Sequence, residues 1–310
     1  MKLLDLIQGL EYEVLQGEVD IEVCGIQNDS RKVGDKDLFF CITGSVSDGH
    51  SYASEVSSKG ASVLIVEKAV AVDKAVTVIK VPSTRYAMGI ISSRYYGEPS
   101  KHLTVIGITG TKGKTTTTYM IREMLASAGI GTGLIGTIEI IDGKDTIPAK
   151  NTTPESIILH KHLKDMVDNG LKAVVMEVSS HALTLDRVGG IHFDVAAFTN
   201  LTEDHLDFHK TMDAYCDAKA MLFERCSKAV INVDDSYACR MLDKARCPVV
   251  TASVRGKGNL NAKNLQLHAE GICFEAAPVI GKSVEVQLPI PGKFTVYNSL
   301  TVLGIAAQLG

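Results

Sequence analysis

Short apolar runs set off by polar, glycine-bearing turns give the first hundred residues their rhythm. Leu38 to Ile42 is unbroken and Ala61 to Val66 is interrupted only by Ser62, with Gly, Ser and Asp around them. Runs of that length fit buried strands that alternate with helices. The segment Tyr95-Tyr96-Gly97-Glu98-Pro99-Ser100-Lys101 then breaks the pattern, because Gly97 and Pro99 both oppose a helix across it. A domain boundary is expected there, with one domain over residues 1–98 and a second over 99–310.

After the boundary the alternation strengthens. Leu103 to Thr109 reads as a strand and Thr115 to Ala128 as a helix. Ala173 to Val178, Val195 to Thr199 and Ala229 to Asn232 read as further strands. The pattern predicts an α/β protein whose second domain is a mostly parallel, doubly wound sheet. Ligands of such sheets sit beyond the carboxyl ends of the strands, which puts the chemistry where Thr109, Glu177 and Thr199 emerge. Asn298 to Gly310 reads as a helix that stops in mid-course, so the second domain is expected to be truncated at its C-terminal end.

Length and composition narrow the class. At roughly 150 residues per domain, 310 residues fit about two domains. Hydrophobic residues make up 45% and charged residues 22%, which excludes wholesale disorder. Lys and Arg total 32 against 36 Asp and Glu, and 32 − 36 gives −4. That balance gives no pull toward nucleic acid or an anionic membrane. Seven cysteines, at 24, 41, 216, 226, 239, 247 and 273, contain no CxxC pair. They read as buried thiols in a reducing compartment, neither a disulfide frame nor a zinc cage. The N-terminal run is short and broken by Asp5, a poor signal peptide, and no stretch approaches the ~18 apolar residues of a membrane span. A cytoplasmic protein is expected, with a monomer as the default.

The strongest local signal is Ile106-Gly-Ile-Thr-Gly-Thr-Lys-Gly-Lys-Thr-Thr116. A strand ends at Thr109, and Gly110 and Gly113 let the backbone curl its N–H groups around an anion. Lys114 can reach β/γ-phosphates, the Thr115 hydroxyl can ligate Mg²⁺, and a helix follows at once. The generic pattern wants glycine where Ile108 stands, so this is a variant phosphate loop. Glu177 closes the strand Ala-Val-Val-Met-Glu, where a nucleotide site needs an acid for the metal. His205 and His209 in Asp204-His-Leu-Asp-Phe-His209 would share a helical face, as in zinc peptidases. Leu206 stands where those enzymes have Glu, which argues against a zinc protease.

Taken together the motifs resemble the Mur ligases of peptidoglycan synthesis, of the MurE type that adds the third stem-peptide residue. The residues that carry the resemblance are Asp29-Ser30-Arg31, Gly110 to Thr116, Asn151-Thr-Thr-Pro-Glu155 and Glu177-Val-Ser-Ser-His-Ala-Leu183. Thr199-Asn-Leu-Thr-Glu-Asp-His-Leu-Asp207, Asp217-Ala-Lys219 and Pro291-Gly292 with Asn298 complete the set. The resemblance implies a uridine-nucleotide domain, a central ATPase domain and a C-terminal Rossmann-like domain. The third normally carries the amino-acid site, with an Asp-Asn-Pro-Arg motif that is absent from this sequence.

The resemblance also implies a reaction and its residues. ATP phosphorylates the D-Glu γ-carboxylate of UDP-MurNAc-L-Ala-D-Glu, and the amine of an amino acid displaces the phosphate. Gly110, Thr111, Lys112, Gly113, Lys114, Thr115 and Thr116 would hold the nucleotide, with Asn298 near adenine. Thr115, Glu177, His205 and Lys219 would hold Mg²⁺, the lysine as a carbamate formed with CO₂; Lys114, Lys219 and His205 would be catalytic. Ser30 and Ser45 would contact uridine, and Asn151, Thr152, Thr153, Ser179 and Arg187 the muramoyl dipeptide. From its own pattern alone Lys219 reads as a solvated lysine on an amphipathic helix. Thr295 and Lys112 stand where the family often has Asn. Meso-diaminopimelate is the expected amino acid and L-lysine the alternative. Two further readings remain: a folylpolyglutamate synthetase, opposed by the leading Asp29-Ser30-Arg31 domain, and a fragment that binds substrates without completing ligation.

Overall fold

The computed structural model describes residues 1–44, 47–278 and 281–310. The chain divides into two compact units. Unit 1 comprises residues 1–99, 155–164 and 185–191, and unit 2 comprises 100–154, 165–184 and 192–310. Among the described residues the strands form two sheets.

Unit 1 contains α1 (Leu3–Ile7), β1 (Glu13–Gln16), β2 (Gly25–Gln27), β3 (Asp37–Phe40), α2 (Ala53–Ser58), β4 (Ala61–Val66), β5 (Thr77–Lys80) and α3 (Thr84–Tyr95). Its sheet runs β1-β5-β4-β3-β2, parallel except for the β1–β5 pair. The apolar runs of β3 and β4 are continuous because both faces are covered. Leu38, Phe40, Val63 and Ile65 pack with α1 and α3, while Phe39, Leu64 and Val66 pack with Ala53 and Val56 of α2. Ser83 caps α3 by accepting from the Tyr86 amide at 3.2 Å. The helix stops at Gly97, whose φ of +76° suits glycine and whose amide donates to Arg94 O at 2.9 Å.

Unit 2 opens with β6 (Thr104–Thr109), α4 (Lys114–Ser127), β7 (Thr132–Ile135), β8 (Glu139–Ile141) and β9 (Thr146–Pro148). The chain continues through α5 (Ser156–Asp168), of which residues 156–164 belong to unit 1, and then β10 (Ala173–Glu177), α6 (Ser180–Thr184), β11 (Phe193–Phe198), α7 (Leu206–His209) and α8 (Met212–Ala220). It ends with β12 (Cys226–Asn232), α9 (Ala238–Lys244), β13 (Val249–Ser253), β14 (Leu260–His268), β15 (Gly271–Pro278), β16 (Val284–Leu288) and α10 (Lys293–Leu309). The strand order is β16-β15-β14-β13-β12-β11-β6-β10-β7-β8-β9. From β14 through β7 every pair is parallel, and antiparallel strands extend both ends. One face of the parallel core, with Ile106, Ile108, Val175 and Val195, packs against Ile121 and Leu125 of α4 and Val302 and Ile305 of α10.

The α/β class and the parallel core are those expected from the apolar runs. The antiparallel extensions were not expected. The cysteines need a correction: Cys41 and Cys216 are buried, but Cys24 and Cys239 are exposed and the other three are half-buried. Hydrophobic neighbours in sequence do not bury a side chain that its strand or helix turns outward. No helix among the described residues is long and apolar enough to cross a membrane.

His160, on the part of α5 that belongs to unit 1, is fully buried. Its Nε2 lies 2.9 Å from Gly189 O and must therefore carry the proton and donate. Burial pushes this imidazole down to about 4. Its neutral form stabilises the fold above the unfolded-state value near 6.5, and that contribution is lost as pH falls through the window down to about 4, on the order of 3 kcal/mol. His160→Gln, which keeps a donor but cannot titrate there, should show a shallower fall of the urea midpoint between pH 6.5 and 4. Equal slopes would remove His160 from the acid response.

Candidate functional site

β6 lies between β10 and β11, and the chain leaves it through α4 toward β7 on the β10 side. This is the point where strand order reverses, the place where open α/β sheets bind ligands. The loop from Gly110 to Gly113 spans the end of β6 and the start of α4. A Cβ on Gly110 (φ +143°) would sit 2.0 Å from Thr199 Oγ1, and one on Gly113 (φ +86°) 2.6 Å from Asn298 Oδ1. A larger residue at either place would have to displace that neighbour and adopt a φ that L side chains rarely take. Asn200 pins the loop from behind: its carbonyl accepts from the Thr111 amide at 2.8 Å and its Oδ1 from the Lys112 amide at 3.0 Å. Thr199 Oγ1 and Asn200 Nδ2 donate to Lys112 O at 2.8 and 2.9 Å. The first-turn amides of α4, at Lys114, Thr115 and Thr116, are the groups a helix start offers to an anion.

Two ammonium groups converge on one carbonyl. Lys114 Nζ donates to Gly110 O and Thr111 O at 3.0 Å each, and Lys219 Nζ donates to the same Gly110 O at 2.8 Å. Lys219, on α8, is 1% exposed and lies over the Tyr215 ring at 4.5 Å. Its burial overturns the solvated reading of its helix. Desolvation lowers the pKa of both lysines, and that of Lys219 falls well below the ordinary value, with the Lys114 charge adding to the effect. Tyr215 in turn shares a hydrogen bond of 3.2 Å with Thr111 Oγ1.

Glu177 ends β10 fully buried among donors. Its Oε1 accepts from Thr115 Oγ1 and the Thr137 amide, both at 2.9 Å, and its Oε2 from Thr137 Oγ1 at 3.0 Å. Thr137 Oγ1 is also 3.1 Å from Thr152 Oγ1. Thr153 Oγ1 donates to Glu177 O at 2.8 Å and accepts from the Ser179 amide at 3.1 Å. The predicted Thr115, Glu177, Thr152, Thr153 and Ser179 are therefore one connected group, with Asn151 and Thr116 exposed at its margin.

The two histidines do not share a helical face. His205 precedes α7 in a left-handed conformation (φ +52°), because α7 is a single turn. Its ring meets that of His181 edge to face at 4.9 Å and lies 6.1 Å from that of Tyr215. His209 is buried, bonded to Ser180 Oγ at 2.8 Å. Burial pushes His209 down to about 4, with His181, Lys219 and His205 adding to it.

In unit 1 a cleft of about 750 Å³ is lined by Ser30, Arg31, Phe40, Tyr52, Arg85 and Glu155, among others. Arg31 is exposed and its guanidinium holds Asp29 at 2.8 Å. Arg187 pairs with Glu155 at 2.7 Å. Ser45 lies outside the described residues.

Sequence reasoning missed Thr137, Asn200 and Tyr215. A Thr two residues past the apolar run of β7, and an Asn directly after Thr199, stood at strand ends where a parallel sheet places its ligands. Tyr215 carried no such signal.

A family model described as the Mur ligase middle domain matches residues 108–306, and one described as the Mur ligase family, catalytic domain, matches residues 22–96. A curated relative from Clostridium botulinum (strain ATCC 19397 / Type A) is named UDP-N-acetylmuramoyl-L-alanyl-D-glutamate--2,6-diaminopimelate ligase. It is 46% identical over 307 residues, covering 98% of this chain and 63% of the relative. The enzyme of that name from Clostridioides difficile (strain 630) is 43% identical over 314 residues, covering 100% of this chain and 64% of the relative. A solved structure titled as the same ligase superposes with a TM-score of 0.87 at 28% identity, covering 100% of this chain and 64% of that one. The chain thus spans somewhat under two thirds of the length of the relatives it matches. With a family model matched from β6 to α10, the chain belongs to the Mur ligase family.

Proposed function

We propose that this chain supplies the uridine-substrate and ATP sites of a ligase that adds an amino acid to UDP-MurNAc-L-Ala-D-Glu through a D-Glu γ-acyl phosphate. The observation that carries the reading is the convergence of Lys114 and Lys219 on Gly110 O behind a glycine loop that opens a helix. Two lysine amino groups on one carbonyl, that of Lys114 half-buried and that of Lys219 buried, suit anionic partners, and ATP phosphates beside a substrate carboxylate are such partners. Residues 1–98 serve as the uridine domain, with Ser30 at its cleft, and residues 99–310 as the ATPase domain.

A free carboxylate acylates poorly because oxide is a poor leaving group, and phosphorylation replaces it with a good one. The α4 amides and Lys114 bind and orient the phosphates as charge moves onto them. Thr115 Oγ1 and Glu177 Oε1, 2.9 Å apart, are the hard oxygen donors that Mg²⁺ takes, so the residues fit that ion. When bound, Mg²⁺ offsets the crowding of phosphates against carboxylate. Thr137 holds the Glu177 carboxylate in place, and His205 stands at the Tyr215 side of the site for a second ion. Lys219 fits a carbamate: its burial favours the neutral amine that CO₂ requires, and adding CO₂ with release of one proton to solvent would turn that neutral group into one of charge −1 with hard oxygen donors. Asn298, against Gly113, is assigned to the adenine side. Asn151, Thr152, Thr153 and Ser179 of unit 2 are assigned to the muramoyl dipeptide, and so is Arg187 of unit 1. Meso-diaminopimelate is the proposed amino acid, supported by the names of the relatives, and the cytoplasm the proposed compartment.

Titration of UDP-MurNAc-L-Ala-D-Glu into the chain should give saturable heat, and UDP-MurNAc-L-Ala should bind at least tenfold more weakly. Equal binding of the two would sink the assignment to third-residue addition. Lys114→Ala should reduce ATP-dependent amide formation by the complete enzyme at least a hundredfold; near-normal turnover would remove it from phosphate transfer. Lys219→Ala should be equally impaired but regain part of its activity in added short carboxylic acids. An unaffected variant would take Lys219 out of the site.

A further inference from the structure

Two of the seven cysteines stand in contact far from the phosphate loop. Cys226 opens β12, Cys247 stands just before β13, and α9 lies between them in sequence. Their sulfurs are 3.6 Å apart, and both residues are half-buried. The backbone on each side is fixed. Cys226 is in register with Phe193 of β11, and next to Cys247 the Pro248 carbonyl accepts from the Ala229 amide at 2.9 Å and from Gln308 Nε2 at 3.3 Å. A disulfide has an S–S length of about 2.05 Å. The sulfurs therefore need to approach by roughly 1.5 Å to bond.

We propose that Cys226 and Cys247 form a modification site for thiophilic oxidants, closing to an intramolecular disulfide when a low-molecular-weight disulfide reaches them. The Cys247 sulfur, as thiolate, attacks one sulfur of the small disulfide, whose S–S bond breaks. The departing small thiolate takes up the proton that Cys247 gave up. The Cys226 sulfur then attacks the Cys247 sulfur and expels the second small thiol, which carries away the Cys226 proton. Two protein thiols are oxidised and one small disulfide is reduced to two thiols. Burial pushes the Cys226 thiol up to about 12, and the neighbouring Cys247 adds to the effect.

Position decides what closure does. The pair lies at the amino end of β12, whereas Asn232 at the carboxyl end donates to Thr199 O at 2.7 Å beside the phosphate loop. The bond would constrain the segment carrying α9 and leave the loop intact, so it acts on stability and not on nucleotide binding.

The test is incubation of the whole folded chain with oxidised glutathione, followed by peptide mapping and thermal unfolding. The exposed Cys24 and Cys239 should carry glutathione adducts. The pair should instead give a linked Cys226–Cys247 peptide without adduct, reversed by dithiothreitol, and a Tm raised by several degrees. Cys226→Ser should stop at a single adduct on Cys247, and Cys247→Ser should leave Cys226 unmodified on the same timescale. Separate stable adducts on both residues, or a link that forms only in denaturant, would overturn the proposal.

Discussion

Two lysine amino groups on the carbonyl oxygen of Gly110 are the constraint around which unit 2 is arranged. Placed so close, with Lys219 buried, they oppose each other's protonation, and the arrangement holds only because something else fixes them there. The fixing comes from the sheet. Lys114 is the first residue of α4, tied to β6 by the loop, while Lys219 arrives on α8 from the far side of β11. Thr199 and Asn200, at the end of β11, hold the loop's backbone and so fix where Gly110 O points. Burial lowers the pKa of both amines and the Lys114 charge adds to the effect on Lys219, against a smaller favourable influence of Asp204 on both and of Glu177 on Lys114. Under the proposed function the phosphates favour the charged form of Lys114, which ties the energetics of the fold to the chemistry it serves.

Glu177 meets the opposite requirement. A buried carboxylate is costly unless its oxygens are satisfied, and here three donors from Thr115 and Thr137 satisfy them. Thr115 belongs to the phosphate loop's helix and Thr137 to the turn after β7, so the acid bonds to segments on both sides of its own strand. The same contacts that make burial tolerable also place a hydroxyl and a carboxylate side by side as hard donors. Stability and metal preference come from one set of bonds.

What the sequence made legible follows from sequence distance and from burial. β6, β10, β11 and β12 were readable because a parallel strand covered on both faces is a continuous apolar run. β14 and β16, each antiparallel to β15, expose much of their length, and Lys263, Gln266 and Glu285 break the apolar signal. The phosphate loop was readable because strand, glycines, lysine and helix are consecutive. Thr137 lies 40 residues from Glu177, and Lys219 lies 109 from Gly110. Only the folded sheet brings such pairs together, which is why the pattern of α8 alone returned a solvated lysine.

The two departures from the family's usual residues stand at Lys112 and Thr295. The Lys112 side chain is exposed, and what the loop needs from that position is its amide and carbonyl, both bonded to Asn200 whatever side chain is present. Thr295 donates its hydroxyl to Pro291 O at 3.2 Å, one turn back at the start of α10, and this is a local contact that closes the helix entry. Asn298, retained, is the side chain that meets the loop, with its Oδ1 where a Cβ on Gly113 would intrude. At Lys112 the backbone makes the contacts and at Thr295 the contact is local, whereas Asn298 comes from a distant element and fills the space left by a glycine.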